Sequence, residues 1–300
     1  MNFLYENAGC VGEPEIAKRL FELAKMSFTK LRVLGKSVCG RPIYALEIGN
    51  MNNPSMIVGG THGMEWASVL TALRLCDTAV EAVHDGELLC GIDMRVALLR
   101  RGTVVIPLLN PDGFELRRRG RAAACKTHRL LSRFEDADFG YWQANARGVD
   151  INHNFPAGFY LAKRQVAKLG IISASPTRYG GSFPLSEPES RAVVHAVGLY
   201  RPRSLYALHS QGEEIYWKYG SVIPDGSEYI ASVLTALSGY RLCEPAALAS
   251  HAGLKDWFIK RHCRPGFTIE LGAGKNPLPY SDFEAIWNRV EKALTVAAIV

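Results

Sequence analysis

The stretch Met56-Ile57-Val58-Gly59-Gly60-Thr61-His62-Gly63-Met64-Glu65-Trp66 decides the fold class. An apolar run stops at two glycines, and apolar residues then return at helical spacing with Trp66, Val69, Leu70, Leu73 and Leu75. This pattern reads as a strand feeding a helix through a turn. His62 and Glu65 fall in that turn, where both side chains can face one point. Imidazole nitrogen and carboxylate oxygen are zinc ligands, and a hydrolytic zinc site usually takes three protein ligands and leaves a position for water. On its own a His-x-x-Glu quartet is commonly a solvated pair on a helix face, so a third ligand is the discriminating requirement.

Ser204-Leu205-Tyr206-Ala207-Leu208-His209 supplies a candidate, a short strand-like run ending in a histidine and followed by Ser210-Gln211-Gly212. Without His62 and Glu65, the plainer reading of His209 is a buried imidazole satisfied by backbone. Gly266-Phe267-Thr268-Ile269-Glu270-Leu271 places a carboxylate within a β-rich segment. Burying an unpaired carboxylate costs several kcal/mol, so Glu270 either points to solvent at a strand end or has a task.

Further out, strand-like runs at Pro42 to Ile48, Val104 to Leu109, Leu205 to Leu208 and Phe267 to Leu271 alternate with helical patterns. The helical candidates are Glu15 to Ala24, Trp66 to Val83, Glu187 to Val197, Gly226 to Leu237 and Asp282 to Ala298. Such alternation argues for an α/β fold, a sheet with helices on both faces. The chain has 300 residues, 48% of them hydrophobic, which is ample for one large core. Its 28 glycines and 15 prolines are spread as turn punctuation, with no linker, repeat or low-complexity tract. One domain spanning 1–300 is the expectation.

Taken together, these residues resemble the zinc carboxypeptidases related to pancreatic carboxypeptidase A. The resemblance runs from Gly35-Lys36-Ser37 and Gly40-Arg41-Pro42-Ile43 through His62 and Glu65, Asn110-Pro111-Asp112-Gly113, Gly148-Val149-Asp150-Ile151-Asn152 and His209 to Glu270. It covers nearly the whole chain. His209-Ser210-Gln211-Gly212-Glu213-Glu214-Ile215-Tyr216-Trp217, and Glu270-Leu271-Gly272 followed by Lys275-Asn276-Pro277-Leu278-Pro279, look most like bacterial γ-D-glutamyl-meso-diaminopimelate peptidases, which cut peptidoglycan stem peptides. The resemblance implies a mixed, twisted sheet of roughly eight strands with helices on both faces. It also implies one zinc ion per chain, held by His62, Glu65 and His209.

Zinc in such a site polarises the scissile carbonyl and lowers the pKa of its water from about 15.7 towards roughly 7. Glu270 would be the general base, a role contributing about 10²- to 10⁴-fold. Asp150 would accept a hydrogen bond from His62 and fix its tautomer. Asn152, His153 and Gln211 would face the substrate. For the arginine that polarises the carbonyl, Arg147 is the expected residue, because it lies just before Gly148-Val149-Asp150 and five residues after Trp142. Arg117, Arg118, Arg119 and Arg121 are rivals.

Two departures from the family pattern bear on substrate. Where carboxypeptidases carry an arginine that clamps the terminal carboxylate, this chain reads Asn152-His153-Asn154. Arginine offers a fixed bidentate fork, whereas histidine offers a single, pH-dependent contact, so tolerance of substrate beyond the cleaved residue is expected. In Ser250-His251-Ala252-Gly253-Leu254-Lys255-Asp256-Trp257, Lys255 matches the position at the base of the leaving-residue pocket. A lysine there favours an acidic group, and diaminopimelate carries a second carboxylate. Glu244-Pro245-Ala246-Ala247-Leu248-Ala249 offers no tyrosine to fold over the site, leaving His251 or Tyr240 for that role.

The net charge is +6, with a dense basic stretch of Arg117, Arg118, Arg119, Arg121, Lys126 and Arg129. No aromatic residues interleave it, so a basic loop beside a site for polyanionic peptides, or equally a solvated loop without function, is expected rather than a nucleic-acid partner. The 7 cysteines are odd in number, widely spaced and without a CxxC, and read as reduced thiols. No signal sequence precedes Glu15 and no run of about 18 apolar residues could span a membrane. A cytoplasmic protein acting on soluble peptidoglycan-derived peptides is the resulting expectation. The alternatives are a zinc carboxypeptidase for ordinary peptides with acidic C-terminal residues, or an inactive peptide-binding relative.

Overall fold

The structure, a computed structural model, describes residues 3–125, 131–134, 137–244 and 251–300. Eight strands form one mixed sheet: β1 (Thr29–Lys36), β2 (Pro42–Ile48), β3 (Ser55–Val58), β4 (Thr103–Ile106), β5 (Ser204–His209), β6 (Glu214–Tyr216), β7 (Arg241–Cys243) and β8 (Gly266–Glu270). In space they run β1-β2-β4-β3-β5-β8-β6-β7. The four central strands, β4, β3, β5 and β8, are parallel, whereas β1, β2 and β6 join antiparallel neighbours. Among the described residues there are eight helices of nine residues or more: α1 (Glu13–Leu23), α2 (Trp66–Asp85), α3 (Pro111–Arg119), α4 (Phe159–Ala167), α5 (Pro188–Tyr200), α6 (Ser227–Ser238), α7 (Leu254–His262) and α8 (Phe283–Ile299).

Alternation along the central strands splits the core into two. Ile57, Tyr206, Leu208, Phe267 and Ile269 pack with α2 and α8, while Met56, Val58, Leu205 and Ala207 pack with α5 and α7. Because successive side chains point to opposite faces, strands apolar at every position need helices on both sides. All four residues of β3 and all six of β5 are buried. The expected α/β architecture is therefore present.

Several boundaries differ from the sequence reading. The run from Val104 to Leu109 is strand only as far as Ile106, since Pro107 has no N–H to continue the ladder. Helix α2 extends to Asp85 and ends where Gly86 takes φ 73°, a left-handed conformation that suits glycine.

The expected basic loop is in part a helix. Asn110 caps α3 by accepting from the Gly113 N–H at 2.9 Å, Pro111 occupies the first turn, and Arg117 to Arg119 form the last turn, where cations complement the helix dipole. Arg117 lies over the Tyr280 ring and Arg118 donates to the Cys10 carbonyl, so these side chains are engaged within the fold. Lys126 and Arg129 lie outside the described residues.

The cysteines also require a correction. Cys39 and Cys125 form a disulfide with a Cα–Cα distance of 5.3 Å, while Cys10, Cys76, Cys90, Cys243 and Cys263 are free. Arg41 donates to the Ala123 carbonyl at 2.9 Å, which brings the two loops together. Their separation of 86 residues hides the pairing in the sequence. Cysteine usage thus gives no support to a reducing compartment. Among the described residues, no helix is long and apolar enough to cross a membrane.

Candidate active site

His62, Glu65, His209 and Glu270 meet at the carboxyl ends of the parallel strands. His209 closes β5 and Glu270 closes β8, and the two are paired in register. His62 and Glu65 follow β3 in the turn before α2. This turn is tightly packed: a Cβ on Gly63 would meet the Gly113 carbonyl oxygen at 2.3 Å, so only glycine lets the backbone come so close. Ser68 pins it further, donating to the Glu65 carbonyl at 2.7 Å and accepting from the Gly60 N–H at 3.0 Å. Glu65 sits at the N-cap of α2 without capping it, and its carboxylate is free to face the imidazoles.

One carboxylate bridges both rings. His62 Nδ1 lies 2.7 Å from Glu65 Oε1, and His209 Nδ1 lies 3.0 Å from Oε2. The three candidate ligand atoms fall within 4.8 Å of one another, and all three residues are buried. His62 Nε2 lies 3.0 Å from Asp150 Oδ1 and so carries the proton donated to it. In the neutral ring, Nδ1 is then a lone pair directed at a carboxylate, an arrangement that calls for a cation between them. The donor set fits zinc in ligand type and number.

The same charges shape titration. Burial alone would lower the pKa of His62, but Glu65 and Asp150 outweigh it and raise the value well above normal. Glu65, which burial would raise, is held down to about 2 by His62 and His209. For Asp150 burial is outweighed by His153 and His62, which hold it well below the carboxylate range. Glu270 goes the other way: burial first, then the Glu65 and Glu214 carboxylates, push it well up. Glu214, directly across from Glu270 on β6, accepts from Tyr216 at 2.5 Å and Arg241 at 2.6 Å.

These residues open into a cleft of about 310 Å³, and Asn152, His153, Gln211 and Lys255 line it too. Asp150 caps the short turn of Ile151–His153 and stands 3.1 Å from His153 Nδ1. Asn152 Oδ1 accepts from the Leu254 N–H at 3.0 Å, tying this turn to the start of α7. Lys255 is only 5% exposed, and its ammonium donates to the Lys218 carbonyl at 2.8 Å and to Asp256 Oδ1 at 2.5 Å. Lys255 thus enters the cleft lining as a cation beside an anion, Asp256, rather than as a lone cation. His251 lines the cleft, 3.1 Å from the Tyr219 hydroxyl, whereas Tyr240 is buried and accepts from the Gly272 N–H. Residues 245–250 lie outside the described residues.

Arg147 is the exception. It does not reach the cleft; its guanidinium faces Glu187 at 3.4 Å, is half exposed, and borders a separate hollow with Val149 and Tyr179. Its loop is a tight turn in which the Gly148 N–H donates to the Asn145 carbonyl and Gly148 takes φ 67°. Asn145 Oδ1 accepts from the Arg147 N–H at 2.9 Å and the Val149 N–H at 3.1 Å, which leaves Arg147 at the outward tip. Arg117, Arg118, Arg119 and Arg121 do not line the cleft either. Sequence reading missed Gln143, Asp256 and Tyr216, which do. The signals were adjacency to Trp142 for the first and to Lys255 for the second.

Comparison with known proteins gives a consistent picture. The family model described as zinc carboxypeptidase matches residues 18–293. The chain is 32% identical over 256 residues to gamma-D-glutamyl-L-diamino acid endopeptidase 1 of Lysinibacillus sphaericus, covering 85% of this chain and 63% of that protein. It is 28% identical over 180 residues to murein peptide amidase A of Escherichia coli, covering 58% of this chain and 57% of that one. Carboxypeptidase A from Helicoverpa armigera shares the fold with a TM-score of 0.72 at 20% identity, over 96% of this chain and 72% of that structure.

Proposed function

Since the chain belongs to the zinc carboxypeptidase family, we propose that it is a metallopeptidase hydrolysing the γ-D-glutamyl-meso-diaminopimelate bond of peptidoglycan-derived peptides. The observation that carries this reading is the convergence of His62, Glu65 and His209 beside Glu270, at a cleft whose lining includes the Lys255–Asp256 pair. Zinc bound by those three residues supplies Lewis acidity at the scissile carbonyl and acidifies a water. Glu270, uncommitted at the mouth of β8, takes the water's proton and returns it to the leaving amine. Asp150 keeps the His62 ring oriented. His153 and Asn152 face the free carboxylate next to the cleaved bond.

The Lys255–Asp256 pair separates this reading from that of a carboxypeptidase for acidic C-terminal residues. A lone buried lysine would favour any side-chain carboxylate, but Asp256 at 2.5 Å offsets most of its charge. A cation and an anion side by side match a group bearing both an ammonium and a carboxylate. The far end of meso-diaminopimelate is such a group; glutamate lacks the ammonium and lysine lacks the carboxylate. The name of the Lysinibacillus relative points to the same class of bond.

The test is a panel of L-Ala-γ-D-Glu-X tripeptides with X as meso-diaminopimelate, L-lysine or L-glutamate, plus an ordinary α-linked peptide ending in glutamate, with products identified by mass. Release of diaminopimelate at a kcat/KM at least tenfold above every other substrate is expected. Cleavage of the α-linked peptide alone would overturn the assignment.

A further inference from the structure

Peptide hydrolysis places negative charge on the carbonyl oxygen, and loss of one fixed donor to that oxygen commonly costs on the order of 10²- to 10³-fold in rate. Among the described residues, no arginine lines the cleft. We propose that Gln143 is this donor, giving a hydrogen bond from its side-chain amide to the carbonyl oxygen as charge develops there. The assignment rests on the peptidase reading of the site and adds a residue to it.

Gln143 is anchored at three points on the loop that underlies His62. Its backbone N–H donates to the Pro176 carbonyl at 3.0 Å, and its own carbonyl accepts from the Gly63 N–H, next to His62, at 3.0 Å. Asn110 Nδ2 reaches the same carbonyl at 3.4 Å and those of Thr61 at 3.1 Å and Ala144 at 3.2 Å, locking the loop to the turn that carries His62. At the side chain, the Thr177 hydroxyl donates to Oε1. An amide has one acceptor and two N–H donors, so occupying Oε1 turns Nε2 outward. Among the described residues Nε2 donates to none, and the side chain lines the same cleft as His62, Glu65, His209 and Glu270. A donor fixed beforehand loses little on reaction, which is the condition for electrostatic stabilisation.

An amide donor is neutral, and a charge-assisted bond from arginine is roughly twice as strong. The neutral donor also differs in its response to substitution: Gln143→Glu keeps the shape but sets a carboxylate against the developing oxyanion. The Thr177 hydroxyl acts through Gln143 and is a positioning group.

The experiment compares wild type with Gln143→Ala, Gln143→Glu, Thr177→Val and Arg147→Ala on the best substrate of the tripeptide panel. In parallel, zinc content and the calorimetric affinities of two probes are measured: free meso-diaminopimelate, and a phosphinate pseudopeptide in which a tetrahedral phosphorus replaces the scissile carbonyl. Expected for Gln143→Ala are a kcat about 10²-fold lower, KM within about threefold, a matching loss of phosphinate affinity, and unchanged zinc and diaminopimelate binding. Gln143→Glu falls at least as far, Thr177→Val by several-fold in kcat alone, and Arg147→Ala keeps full activity. A Gln143→Ala rate within threefold of wild type, an equal loss of both probes, loss of zinc, or a defect confined to Arg147→Ala overturns the assignment while leaving the peptidase reading intact. A wild type that hydrolyses nothing in the panel overturns both.

Discussion

Two buried polar clusters lie beside each other in this molecule and solve the same problem in opposite ways. In one, Asp112 Oδ1 accepts from the Ser37 hydroxyl at 2.8 Å and Arg41 at 2.6 Å, and Oδ2 from the Cys39 N–H at 2.7 Å. Beside it, Asn145 Nδ2 donates to Glu187 at 2.8 Å and Glu189 at 3.1 Å, and the Val38 N–H reaches Glu189 at 3.2 Å. Here acceptors meet donors, and the cluster is closed. In the other, once His62 Nε2 donates to Asp150, the neutral ring's Nδ1 and the Glu65 carboxylate are acceptors turned towards one another, with His209 Nδ1 facing the same carboxylate. Buried polar atoms left unmatched are costly, so the first cluster is complete as a structural joint, whereas the second, with neutral rings, is matched only when a cation joins it. Burial and charge therefore do not by themselves mark a functional site; the mismatch of donors and acceptors does.

The largest expected effect comes from Glu270, the carboxylate that neither cluster absorbs. Glu270→Gln keeps the shape and removes the proton acceptor, so kcat should fall by about 10²- to 10⁴-fold, with zinc retained in elemental analysis. Full activity in that variant would sink its role as base.

A smaller effect belongs to the closed cluster. Burial, against the bonds from its backbone and Asn145, pushes Glu189 up to about 7 from 4.5. A folded-state value above the unfolded one means that the folded chain holds the proton more tightly. The stabilisation is then complete below about 4.5 and is lost as pH rises through about 7, amounting to about 3 kcal/mol at most. Denaturant midpoints measured from pH 4.5 to pH 7.5 should fall for this reason, and Glu189→Gln should flatten the decline. An unchanged slope in the variant would assign the pH dependence elsewhere.

What the sequence made legible was local or periodic. The turn from Met56 to Trp66 carries its own punctuation, and the strand ends at His209 and Glu270 break apolar runs with a polar residue. Register did the rest, since β5 and β8 are parallel neighbours and put those two ends together. The outward tilt of Arg147 was not legible, because five residues from Trp142 fixes a distance along the chain and not a direction; the Asn145 side chain and Gly148 set that direction. Helix α3 was hidden by its arginines, although Asn110 and Pro111 are a cap and a first-turn residue that local reading could have weighed more heavily. The disulfide depended on two loops meeting through Arg41 and Ala123, a purely tertiary event.

The proposed function requires that the mismatched cluster bind one divalent cation. Zinc content after exhaustive dialysis, determined by elemental mass spectrometry for wild type and for His209→Ala, tests it most directly. About one zinc per wild-type chain is expected, and a small fraction of that in the variant. A wild type that holds no metal, or a His209→Ala chain that holds as much as wild type, would contradict it.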